Sequence, residues 1–164
     1  MAWKYTSEVF QISAGAQEGA PNTFDQTTIN LNLDSLSREI LVIMYCDLNV
    51  LPADLVAGLA TSATANLSDG SQTTTSTLAN PRVIATATNI VEYDGVAAVG
   101  TSNAEPVFGN YGDSPLFITA TDDLFLSVLG NGNIQAKNAQ VRIWARRARA
   151  DADTYAAILT SQFN

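Results

Sequence analysis

The stretch Glu39-Ile40-Leu41-Val42-Ile43-Met44-Tyr45-Cys46-Asp47-Leu48 decides how the rest of the chain is read. Seven apolar or amphipathic residues run without a break from Ile40 to Cys46. A helix of that length would be apolar on every side. The run is rich in β-branched and aromatic residues, which fit a pleated, covered surface. It therefore predicts a strand buried on both faces, in the middle of a sheet or sandwich, with Ile40, Val42, Ile43, Met44 and Cys46 in the core.

Outward from that strand, short β segments follow one another at turn-like intervals. Trp3–Ile12 alternates loosely, and Ser13–Gln26 reads as a loop through Gly15, Gly19 and Pro21. Thr28–Leu33 sets Ile29, Leu31 and Leu33 against Asn30 and Asn32, the pattern of a half-buried strand. Asn49–Leu59, with Pro52, Asp54 and Gly58, reads as a loop with one helical turn. Asp69-Gly70 lies between Ala60–Leu67 and Gln72–Leu78 and predicts a hairpin. Arg82–Tyr93 is a long strand with a bulge or bend, and Val96–Val99 a short one. Gly100–Pro115 is irregular. Leu116–Ala120, Leu124–Leu129 and Lys137–Arg147 complete the strands. Asp151–Phe163 reads as a helix capped by Asp151 or Asp153, with Tyr155, Ile158, Leu159 and Phe163 along one face. The expected fold is all-β: a single-domain antiparallel β-sandwich, jelly-roll-like, over residues 1–164 with a short C-terminal helix.

Composition narrows the function. Charged residues are 15% of the chain, against roughly a quarter in an average protein. Small neutral side chains take their place, and these lose little entropy when another surface covers them. The balance leans towards a subunit that packs on neighbours. The absence of His excludes Ser-His-Asp and Cys-His catalysis and His-containing zinc sites. The single Cys46 excludes an intrachain disulfide and reads as a small core residue. The start of the chain lacks a charged segment followed by an apolar one, so no signal peptide is expected. No apolar run approaches the ~20 residues of a membrane span.

Charge is unevenly spread. The net charge is −8, yet Arg142, Arg146, Arg147 and Arg149 fall within eight residues. In a strand, Arg142, Trp144 and Arg146 share one face and Val141, Ile143 and Ala145 the other. An arginine/aromatic stripe can grip single-stranded nucleic acid. The 16 acids of the chain favour the other reading, ion pairs within this subunit or to a neighbour. The loops holding Asp69, Asn110 with Asp113, and Asp122 with Asp123 have oxygens that Ca²⁺ could take, without the spacing of an EF-hand. Turn hydrogen bonds explain them more simply, and no cofactor is expected. Gly130-x-Gly132 lacks the third glycine of a dinucleotide loop. Asn66-Leu67-Ser68 fits a glycosylation acceptor but has no secretory context.

The most individual piece is Val141-Arg142-Ile143-Trp144-Ala145-Arg146-Arg147-Ala148-Arg149-Ala150-Asp151-Ala152-Asp153-Thr154-Tyr155-Ala156-Ala157. It resembles the closing strand and terminal helix of small marine viral proteins. Over its whole length the chain resembles jelly-roll-like capsid and decoration proteins of bacterial and archaeal viruses. That resemblance implies a virion subunit made in the host cytoplasm, acting through copies of itself and other virion proteins. It carries over no functional residue. The alternative is a carbohydrate- or receptor-binding sandwich, with Trp3, Tyr93, Tyr111 or Trp144 as its platform.

Overall fold

A computed structural model describes residues 2–96, 99–104 and 114–163, the side chain of Phe163 excepted. Its strands are β1 Trp3–Tyr5, β2 Phe10–Gln17, β3 Asp25–Asn30, β4 Glu39–Val50, β5 Thr61–Ser68 and β6 Val83–Tyr93. They continue with β7 Val99–Ala104, β8 Phe117–Thr119, β9 Asp123–Asn131 and β10 Asn138–Ala150, followed by helix α1 Ala152–Phe163. One sheet runs β2-β10-β4-β8, with β1 beside the far half of β10. The other runs β3-β9-β5-β6-β7. All pairings are antiparallel. Setting β7 aside, the orders 2-10-4-8 and 3-9-5-6 are those of two interlocked Greek keys, a jelly-roll-like sandwich.

β4 lies second from one edge of its sheet and is covered on both faces over Ile40–Ile43, while from Tyr45 onward its outer face is open. Leu41, Ile43, Cys46 and Leu48 enter the core between the sheets, with Ile143, Leu67, Leu124 and Leu126. Ile40 and Val42 face the other way, into a second cluster roofed by Tyr155, Ile158 and Leu159 of α1. The helix thus adds a third layer at one end of the sandwich. Asp151 caps it by accepting a hydrogen bond from the Thr154 N–H at 2.8 Å.

Met44 departs from the expected core position. The β4–β10 register pairs Ile43 with Ala145 and Tyr45 with Trp144, leaving Met44 unpaired in a β-bulge. Its side chain is half-buried at the margin of the helix-covered cluster. The bulge reverses the alternation, so that Cys46 and Leu48 return to the inner face and Tyr45 points out.

Several further segments differ from expectation, among them Ser13–Gln17, read as loop but part of β2, and Asn49–Leu59, where no helical turn forms. The chain breaks between β1 and β2, so one expected strand becomes two, each taking part of the β10 edge. Asp69-Gly70 is not a two-residue hairpin, because β5 pairs with Val83–Val91 of β6 and Gln72–Leu78 is loop. Gly70 serves close packing instead: a Cβ there would lie 2.2 Å from Arg82 Cζ. The Thr-rich loop folds onto the outer face of the second sheet. The buried Asn66 amide holds it, donating to the Ser76 carbonyl and accepting from the Ser76 N–H, both at 2.8 Å. Val99–Ala104, expected to be mostly irregular, forms β7; Gly109–Asp113 lies outside the described residues.

Candidate interaction surfaces

β10 hands its arginines to two different jobs. Its inner face emerges from the core beyond Ala145, so Arg147 and Arg149 reach over the end of the sandwich. Arg147 pairs with Glu39 at 2.7 Å and donates to the carbonyls of Leu31 at 2.8 Å and Asn32 at 3.2 Å. Arg149 Nε donates to the Ser37 carbonyl at 2.9 Å. Together they fasten the segment between β3 and β4. On the outer face, the Arg146 guanidinium lies 4.1 Å from the centre of the Tyr5 ring and 3.8 Å from Glu8. Its Nε donates to the Ser7 carbonyl at 3.2 Å, closing the gap between β1 and β2. Arg142 is exposed and makes none of these contacts. The expected cluster is therefore divided: three arginines are engaged within the chain, and Arg142 is left on the open sheet beside Trp144.

The opposite end of the sandwich was not singled out in the sequence. There the β2–β3, β4–β5 and β9–β10 connections meet around buried polar groups. Lys137 is 1% exposed, and its ammonium reaches Asp54 at 2.5 Å and the Pro52 carbonyl at 2.9 Å. The second Asp54 oxygen accepts from the N–H groups of Ile134 and Gln135 at 2.9 and 2.8 Å. The ammonium and these N–H groups hold the Asp54 carboxyl below its ordinary range. Buried Glu18 accepts from the N–H groups of Gly130 at 2.6 Å and Lys137 at 2.7 Å. Asn133 bridges Asn22, Asp54 and Ser62. These loops are built inside out. Their charged residues point in, while Leu55, Leu59 and Ile134 are 75%, 45% and 69% exposed. Val96 and Val99 of the β6–β7 hairpin are exposed at the same end, and Leu55, Leu59, Val91, Tyr93 and Val99 line an apolar groove. Exposed apolar residues in a loose loop would be unremarkable. Here hydrogen bonds hold them in place, which lowers the entropy lost when a partner covers them.

The remaining sequence candidates are scattered. Trp3 packs against the helix-covered cluster, Tyr93 donates to the Val96 carbonyl at 3.3 Å, and Tyr111 lies outside the described residues. Asp122 accepts from the Leu33 N–H at 2.7 Å, Asp69 pairs with Arg82 at 3.2 Å, and Asn110 and Asp113 lie outside the described residues. Among the described residues no three acidic or Cys side chains converge on a metal position. No described helix is long and apolar enough to cross a membrane. No protein-family model matches the chain, and no curated protein does.

Proposed function

We propose that the chain is a structural subunit of a virus particle, a capsid or capsid-decorating protein that works by packing against copies of itself. The observation that carries this reading is the inside-out loop end, where hydrogen-bonded loops present Leu55, Leu59 and Ile134 to solvent while Lys137 and Glu18 are buried beneath and half-buried Asp54 turns in to pair with Lys137. Exposing Leu55, Leu59 and Ile134 buries no apolar surface in a monomer, whereas a neighbouring subunit gains a preorganised apolar contact. The jelly-roll-like strand order and the charge-poor surface support the same reading, the first by analogy of fold.

Light scattering coupled to size exclusion, with electron microscopy of the eluted material, tests it. Association into closed symmetric particles or discrete oligomers is expected. Leu55→Asp combined with Ile134→Asp should abolish association and leave the melting temperature within a few degrees of the parent. A chain that stays monomeric at high concentration and in the presence of its co-expressed virion proteins would overturn the reading.

A further inference from the structure

The outer face of the β2-β10-β4 sheet carries a second kind of surface, independent of the loop end. Backbone register places nine residues there in three rows: Gln11-Trp144-Tyr45, Ser13-Arg142-Asp47 and Gly15-Gln140-Asn49. Strands lie ~4.8 Å apart and alternate residues ~6.7 Å apart along them, so the grid measures about 10 by 13 Å. One row is aromatic, with the Tyr45 and Trp144 rings edge to face and 4.8 Å between centroids. The other two rows are polar. They floor a depression of about 470 Å³, lined by Ser13, Gly15, Asp47, Asn49, Gln140 and Arg142. The missing side chain at Gly15 keeps one corner of the floor open.

Among the described residues, no side-chain hydrogen bond or ion pair within the chain engages Ser13, Asp47, Asn49, Gln140 or Arg142 in the two polar rows. Several polar side chains elsewhere are held within the fold, among them Asn22, Asn66, Asn133, Gln162 and Arg147. On the grid, Asp47 and Arg142 are direct cross-strand neighbours, yet no contact within 4.0 Å joins them among the described residues. Their charges cancel, so the face has no net attraction for phosphate in a molecule of net charge −8.

We infer that this face binds a neutral pyranose sugar, as one or two residues of a glycan. A pyranose has one face of C–H groups, weakly positive, which packs on the electron-rich face of an indole or phenol. Around that face runs a rim of hydroxyls, each both donor and acceptor. Arg142 supplies donors, Asp47 acceptors, and Gln140, Asn49 and Ser13 both kinds. A nucleobase would also stack on Trp144, but its phosphates would meet Asp47 and an acidic molecule.

The test uses the full chain titrated to about 10 mM with glucose, galactose, mannose, N-acetylglucosamine and their disaccharides. Binding is read by calorimetry and by tryptophan emission, with Trp3→Phe isolating the Trp144 signal. At least one neutral sugar is expected to bind. Trp144→Ala and Asp47→Asn should each weaken it roughly tenfold or more, and Trp144→Phe far less. Thermal melts show whether each variant remains folded. Three outcomes overturn the inference: no sugar in the panel binds; binding survives Trp144→Ala; or only an oligo-dT binds through Trp144, with steep salt dependence. None of them bears on assembly, which light scattering reads separately.

Discussion

Tyr45 stands edge-on to Trp144 because Met44 is left out of the β4–β10 ladder. With unbroken alternation Tyr45 would point into the core with Ile43, and the outer face would carry Trp144 alone. The bulge both closes the core with Cys46 and builds the aromatic row. A double-mutant cycle over Tyr45→Ala and Trp144→Ala should give a coupling of about 0.5–1.5 kcal/mol by urea denaturation. A coupling near zero would mean that the rings do not hold each other.

Ile43 is fully buried between the sheets, and its neighbour Met44 is half-buried in the bulge. Ile43→Ala should cost about 2–5 kcal/mol, and Met44→Ala less than half of that. Equal costs in denaturant unfolding would place both side chains in the core and remove the bulge.

The Lys137 ammonium has Asp54 as its charge partner in a buried position. Asp54→Ala strands that charge and should cost about 3 kcal/mol near neutral pH. The Asp54 carboxyl is held below its ordinary value of 3.8, first by the hydrogen bond from Lys137. A depressed carboxyl contributes stability above its unfolded pKa and loses it as pH falls through the folded one. The gap between parent and variant should therefore hold at pH 6 and shrink below about pH 4. A gap that widens on acidification would contradict the pairing.

Arg147 and Arg142 separate anchoring from availability. Arg147→Gln removes the Glu39 pair and weakens the hold on Leu31 and Asn32, and should cost about 1–2 kcal/mol. Amide exchange of Leu33–Ser37 should speed up with it. Arg142→Gln should change stability by less than about 0.5 kcal/mol. Equal losses would place Arg142 in a contact of the same kind.

Cys46 is fully buried, and desolvation pushes its thiol up to about 12. At pH 8 the folded chain should be inert to a disulfide reagent, reacting only as fast as it unfolds. Fast stoichiometric labelling of the native chain would show that β4 is not covered at this point. The raised thiol also favours folding below its unfolded pKa, a contribution lost only as alkaline pH passes through the folded value.

Composition and local pattern determined a great deal by themselves. The unbroken run at Ile40–Cys46 calls for cover on both faces, and β4 has it over Ile40–Ile43, from the second sheet and from α1, but not at Tyr45, whose ring lies on the open outer face. The Tyr155, Ile158 and Leu159 stripe and the capping Asp151 follow from helical spacing and local hydrogen bonding, which are properties of contiguous residues. The rest depended on pairing between segments far apart in the chain. Whether Gly70 makes a turn or makes room for Arg82 depends on where Arg82 is carried by β6. The bulge at Met44 leaves no local mark, because an extra residue inside an apolar run changes the phase of alternation and not its composition. The inside-out loops escaped for the same reason. Lys137, Asp54 and Glu18 lie 119 residues apart at the extremes, and only closure of the sandwich turns their charges inward and leaves Leu55 and Ile134 facing solvent.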